Sequence, residues 1–176
     1  VSDEFSAVGR EAPPQIVATE VMKIPPPPED TLADKLRTFL QPEIEEGLVK
    51  VIDEYGEVRV RILGKGLFKS GSDQLTPKFL PLIHRISDAL ETETDKHVVI
   101  EGHSDSSPIH TVRFPSNWHL SLARAQMVLK IILQNRDLSP SQFQAEGKGD
   151  SEPLVDNKTA ANRAINRRVE VVLEKN

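Results

Sequence analysis

The stretch that decides the fold opens with Val98-Val99-Ile100-Glu101-Gly102-His103-Ser104-Asp105-Ser106-Ser107-Pro108. It continues through Ile109-His110-Thr111-Val112-Arg113-Phe114-Pro115-Ser116 and ends with Asn117-Trp118-His119-Leu120-Ser121-Leu122-Ala123-Arg124-Ala125. Three unbroken apolar residues, Val98 to Ile100, predict a strand buried on both faces. A polar loop follows, and apolar residues at helical spacing, Leu120, Met127 and Ile131, predict a helix from about Asn117 to Gln134. Asp105 stands where the strand gives way and Arg124 stands inside the helix. These opposite charges are candidates for holding a ligand that carries both.

Outward from that stretch, the chain alternates strands with helices. Upstream, Leu32, Leu36, Phe39 and Leu40 have helical spacing, with Asp30 or Thr31 as the N-cap. Pro42 starts a second short helical segment that Gly47 closes. Leu48 to Ile52 and Glu57 to Ile62 read as a hairpin around Asp53-Glu54-Tyr55-Gly56, with Gly56 free to take positive φ. In the second strand Val58, Val60 and Ile62 face one way, Arg59 and Arg61 the other. From Thr76, an expected cap, a helix carries Leu80, Ile83, Ile86 and Leu90 on its apolar stripe. Downstream, Gln142 to Gly147 predicts a strand, Thr159 to Ile165 a short helix, and Arg167 to Leu173 the last strand. This order calls for an α/β sandwich, with helices packed on one mixed sheet.

The first thirty residues differ. They are rich in Pro, Ala and Glu and end in Pro25-Pro26-Pro27-Pro28, which excludes helix and favours a stiff polyproline spacer or a plain disordered terminus. The expected division is therefore a linker over 1–30 and one domain over 31–176.

Composition narrows the function. Lys and Arg number 22 against 27 Asp and Glu, a net charge of −5 without a basic cluster, which argues against nucleic acid as the partner. The absence of cysteine removes disulfides, thiol catalysis and thiolate zinc sites. No apolar run reaches the ~18 residues of a membrane span. A first residue of Val suggests a processed or partial chain, so a membrane anchor is expected upstream. No cofactor is expected.

Three chemistries compete for the central stretch. His103, Ser104 and Asp105 supply the residue types of a hydrolase triad, but neighbours in extended backbone point to opposite faces and cannot form the relay alone. His103, His110 and His119 suggest zinc, but no pair has the i, i+4 spacing of helical zinc motifs. Gly64 to Ser72 fits no phosphate-loop fingerprint, and Leu67 and Phe68 within it are expected to plug the core. On the helix, Asn117, Ser121 and Arg124 lie near one line, with Leu120 beside it. Asn117 marks the helix start, where free N–H groups attract anions. Arg124 is suited to a planar carboxylate, either of a ligand or of Asp105 itself in a structural ion pair.

The motifs Gly102-His103-Ser104-Asp105, Ser116-Asn117-Trp118-His119-Leu120-Ser121-Leu122-Ala123-Arg124-Ala125 and Asn166-Arg167-Arg168-Val169-Glu170-Val171 occur in an order that resembles the OmpA-like peptidoglycan-binding domain. That domain ends outer membrane protein A and recurs in Pal, in the flagellar stator protein MotB and in TssL of the type VI secretion system. The resemblance covers about Leu48 to Leu173 and is nearest to the extended TssL proteins. It implies an OmpA-like mixed sheet of four to five strands with helices mainly on one face. It also implies a non-catalytic function, binding of the peptidoglycan stem peptide through meso-diaminopimelate. Asp105 would receive the ligand's ammonium and Arg124 its carboxylate. Ser104, where the family has threonine, is an expected secondary contact, as are Asn117 and Leu120. Ser106 replaces the family's asparagine. Asn166 and Arg168 are expected as sheet-edge support, with Arg168 also a candidate ligand contact. The setting implied is the periplasm of a Gram-negative bacterium, tethered to the inner membrane. The implied partners are other subunits of a cell-envelope secretion complex, with a homodimer also compatible. A stator anchor is the alternative, and a zinc-dependent cell-wall amidase or peptidase a more distant one.

Overall fold

Helix α1 (Leu32–Phe39) begins at Thr31, whose Oγ1 accepts the Asp34 N–H at 3.2 Å while the Asp34 carboxylate accepts the Thr31 N–H at 3.4 Å. This reciprocal capping satisfies two donors that the first turn otherwise leaves open. The computed structural model describes residues 25, 31–63 and 65–176. The expected linker therefore lies, Pro25 apart, outside the described residues, and Thr31–Asn176 forms one compact unit.

After the short α2 (Gln41–Glu45), with Pro42 in its first turn, β1 (Val49–Glu54) and β2 (Glu57–Ile62) pair antiparallel. Glu54 faces Glu57, so only Tyr55 and Gly56 make the turn, and Gly56 at its second position takes a φ of +86°, which glycine adopts without strain. A 3₁₀ turn (Pro77–Phe79) leads into α3 (Leu80–Ala89). Thr76 does not cap it, contrary to expectation. Its hydroxyl instead donates to Gly66 O at 2.7 Å and closes the preceding loop. Leu80, expected on the apolar stripe, is partly exposed, and Leu82 takes its place in the core. Then come β3 (Val98–His103), α4 (Asn117–Ile132), β4 (Phe143–Gly147), α5 (Ala160–Asn166) and β5 (Arg168–Glu174).

The sheet order is β1-β2-β5-β3-β4, antiparallel throughout except for the parallel pair β3/β4 that α4 connects. Register aligns apolar residues in rows: Val58 with Leu173 and Val98, then Val60 with Val171 and Ile100. All are buried, with Leu36, Leu40, Ile83, Ile86, Val128 and Ile132 in the same core. Each such side chain contributes about 1.5–3 kcal/mol of burial. The alternate positions, Arg59, Arg61, Glu101, His103, Arg168 and Glu170, belong to the opposite face.

The next row, Ile62 with Val169, meets Gly102 on β3. A Cβ at Gly102 would lie 2.0 Å from the Ser121 carbonyl oxygen, and one at Gly147 would lie 2.7 Å from Trp118 O and Leu122 N. Helix α4 therefore rests its backbone directly on β3 and β4, which only glycine allows. Gly102→Ala and Gly147→Ala are expected to destabilise the fold by about 1–3 kcal/mol or more, Gly102→Ala the more severely, because backbone rather than a side-chain tip must move. Urea unfolding of both variants checks this.

Candidate functional site

One end of the sheet carries a cavity of about 510 Å³. Its walls come from the loop after β2 (Lys65 to Gly71), the end of β3 (His103 to Asp105), the loop beyond it (Ser107 to Ile109), the first turns of α4, and the α5–β5 junction. All six residues predicted from the sequence line it: Ser104, Asp105, Asn117, Leu120, Arg124 and Arg168.

Asp105 is held on several sides. It is buried, its Oδ1 accepts the Ser107 N–H at 2.7 Å, and its Oδ2 pairs with Arg167 Nη1. Asn117 Nδ2 donates to Asp105 O at 3.4 Å and Ser107 O at 3.0 Å, which ties the loop to the start of α4. The helix cap itself is Ser116, whose Oγ accepts the His119 N–H. Ser104 is fixed from both ends: its N–H donates to Gly149 O at 2.8 Å and its hydroxyl to Asp105 O at 3.0 Å. Ser106 N–H donates to Asn157 Oδ1, so that position acts through its backbone.

Arg124 is equally buried, at 7% exposure, but has no carboxylate within ion-pair distance among the described residues. Its Nε donates to Ser72 O at 2.8 Å, its Nη2 donates to Lys69 O at 3.3 Å, and its guanidinium lies 5.1 Å from the Phe68 ring centre. Of the expected core plug, Leu67 enters the core, and Phe68, partly buried against that core, also backs the arginine. Burial pushes the Arg124 pKa down to about 10, and the charge of Arg167 pushes in the same direction, against a smaller pull from Asp105 and Asp73. The structural ion pair between Asp105 and Arg124 is absent.

Arg167, which lines the cavity and pairs with Asp105, is the residue that sequence reasoning passed over. Consecutive residues at the head of a strand point to opposite sides, and the sequence offers two arginines there. Arg167 turns to Asp105, whereas Arg168 is bound by Glu170, Asn166 O and Glu152 O. Neither sits at a sheet edge, because β5 is the middle strand of five; the expected edge role for Arg168 is corrected accordingly. Asn166 is fully buried, accepts the Leu154 and Val155 N–H groups and donates to Val155 O, and so fastens the loop before α5.

Comparison with known proteins gives the site its context. Residues 67–167 match the OmpA family. The chain belongs to the OmpA family. It is 39% identical over 106 residues to Motility protein B of Bacillus subtilis, covering 60% of this chain and 41% of that protein. It is 35% identical over 148 residues to YtxE of the same organism, covering 84% and 60%. The chain thus spans about half the length of these relatives. Among solved structures, the cell wall anchor of the type VI secretion system from Pseudomonas aeruginosa is 41% identical. The match has a TM-score of 0.72 and covers 80% of this chain and 97% of that one. A MotB-like protein from Desulfovibrio vulgaris is 29% identical with a TM-score of 0.74, covering 82% and 92%. Among the described residues no helix is long and apolar enough to cross a membrane.

In this OmpA-family domain the predicted histidines do not come together. His110 Nδ1 lies 3.2 Å from Pro115 O and His119 Nδ1 2.7 Å from Ser116 Oγ. His103 instead joins Glu101 and Glu170, whose ligand atoms approach within 4.8 Å of one another. Three guanidiniums already serve these carboxylates. Arg59 Nη1 reaches Glu101 at 2.7 Å and Glu170 Oε1 at 3.1 Å, while Arg61 Nε, at 3.0 Å, and Arg168 Nε share Glu170 Oε2. An added cation would meet that positive charge, so the cluster is an ion network behind the cavity wall.

Burial opposes ionisation of Glu170, yet Arg168, Arg61 and Arg59 hold its pKa down to about 2. A carboxyl depressed on folding stabilises the fold fully above its unfolded pKa, and that stability is lost as pH falls towards the folded value. Between pH 5 and 2 this group should therefore account for about 3 kcal/mol of lost stability. Glu170→Gln is expected to be less stable at pH 7 and to show a flatter pH dependence, the two curves approaching each other only as pH falls to about 2. Urea denaturation across that range checks it.

Proposed function

We propose that this OmpA-family domain binds peptidoglycan without catalysis, gripping the meso-diaminopimelate of the stem peptide, and anchors an inner-membrane complex to the cell wall from the periplasm. The observation that carries the reading is Arg124: a buried guanidinium in an open cavity, bonded only to neutral carbonyls, with Nη1 lacking a protein acceptor among the described residues. Desolvated cations of this kind favour an incoming carboxylate, above all a planar one. Asp105 in the same cavity supplies the opposite charge, and the free end of diaminopimelate carries one group of each sign. Leu120 adds a buried apolar side chain to the lining of the same cavity.

Binding rather than turnover is supported by how the candidate catalytic groups are engaged. The Ser104 hydroxyl donates to Asp105 O, and the His103 Nε2 faces Glu101 at 3.3 Å, so no serine–histidine pair forms. The likeness to a solved cell wall anchor of a type VI secretion system, across 80% of the chain, supports a secretion anchor with other envelope subunits as partners. A stator anchor is the second reading, favoured by the identity to Motility protein B.

Purified protein is expected to co-sediment with peptidoglycan sacculi and to release no muropeptides from them, with or without added zinc. Asp105→Ala and Arg124→Ala should each weaken the interaction by about 2–5 kcal/mol, because each leaves one ligand charge unpaired in a desolvated site. Sedimentation of both variants at wild-type levels, with intact circular dichroism, refutes the diaminopimelate assignment.

A further inference from the structure

We infer that Arg167 is a built-in competitor for the ligand's cationic group: it occupies Asp105 in the empty site and must leave when an ammonium binds. The inference rests on the diaminopimelate reading above and adds a residue to it. Asp105 offers two oxygens. Oδ1 accepts the Ser107 N–H, a backbone bond that fixes the loop, so Oδ2 is the oxygen left for a cation, and Arg167 Nη1 is on it.

The three charged groups in the cavity differ in freedom. Arg124 is bound to two backbone carbonyls and stacked on Phe68, and the Asp105 side chain is 9% exposed. The Arg167 side chain is 44% exposed and makes no other ion pair or side-chain hydrogen bond among the described residues. It can return its guanidinium to water at little cost, whereas the other two cannot. Ligand entry at Asp105 is therefore an exchange of one charge pair for another. Affinity then depends on the difference between two pairs rather than on the full value of one. A pair closed nine-tenths of the time lowers apparent affinity about tenfold, since only the open fraction binds.

The exchange also sets specificity. A full ammonium can replace a guanidinium on a buried carboxylate, while an acylated, neutral nitrogen would leave Asp105 uncompensated and cannot. Arg167 would thus reject stem peptides whose diaminopimelate amine is blocked.

The test uses the whole chain and a defined probe, the tripeptide L-alanyl-γ-D-glutamyl-meso-diaminopimelate, with calorimetry at fixed salt. Arg167→Gln is expected to bind it about five to ten times more tightly than wild type, and Arg167→Lys, which keeps the competing charge, within twofold. Loss of a merely structural contact would weaken binding instead. Arg167→Ala serves as the second neutral variant, and thermal melting without ligand verifies folding. Melting should also show a larger ligand-induced rise for the neutral variants. The tripeptide acetylated on its diaminopimelate amine should bind wild type at least tenfold more weakly than the free amine. If wild type binds and the neutral variants tighten by less than threefold, or weaken, Arg167 is not a competitor and the diaminopimelate reading survives. If wild type does not bind the tripeptide at all, that reading falls and the inference with it.

Discussion

The site depends on how closely α4 lies on the sheet. A helix normally stands off a sheet by the length of its side chains; here the Ser121 carbonyl and the backbone of Trp118 and Leu122 occupy the space where side chains of residues 102 and 147 would project. Ser121 adds a lock, since its Oγ accepts the Gly149 N–H at 2.9 Å and donates to Trp118 O at 3.1 Å. Helix, β3, β4 and the loop after β4 are thus held together by backbone contacts that leave almost no freedom to slide. Arg124, one turn beyond Ser121, inherits that precision, as does Asn117, which in turn holds the loop carrying Asp105. The placement of Arg124 relative to Asp105 therefore depends on the close approach that Gly102 and Gly147 allow.

The two charges are buried alike but compensated differently. Asp105 has a guanidinium and an N–H, so its burial is balanced within the protein. Arg124 has carbonyl dipoles and a ring face, which solvate a cation without neutralising it. The contrast with Glu170, surrounded by Arg59, Arg61 and Arg168, is informative. Where this protein needs a buried charge only for structure, it matches it closely with opposite charge. At Arg124 it does not, and the deficit faces an open cavity.

Much of this was legible in the sequence because the relevant signals are local. The buried run Val98 to Ile100, the alternation of Val58, Val60 and Ile62, and the helical spacing after Asn117 each specify an element and the face it presents. Asp105, Asn117 and Arg124 stood out because the strand end and helix start that carry them are separated by a single loop, while the ligand roles of these residues, and Ser104 as a contact, came from the family resemblance. Arg167 could not, because its contact with Asp105 spans 62 residues and arises only when β5 inserts between β2 and β3. That insertion also misled the placement of Arg168, since the last strand of a chain reads naturally as an edge. Thr76 failed for a different reason: its hydroxyl had two acceptable partners, and tertiary closure of the glycine loop outcompeted the local cap.

Strand direction explains why four distant segments meet at one end of the sheet. Strand β5 runs antiparallel to both β2 and β3, so β2 and β3 share a direction, and β4 runs parallel to β3. The chain leaves β2, β3 and β4 at the same end of the sheet and enters β5 there. The loop carrying Phe68, Lys69 and Ser72, the turn carrying Asp105, the loop after Gly147, and Arg167 with Arg168 must all converge on that end. Ligands of open α/β sheets bind beyond the carboxyl ends of parallel strands for the same reason. Here the antiparallel β5 adds two arginines from its amino end, placed between the exits of β2 and β3. A wholly parallel sheet would have put the start of that strand on the far side, and Asp105 would have faced the cavity without a cation of its own.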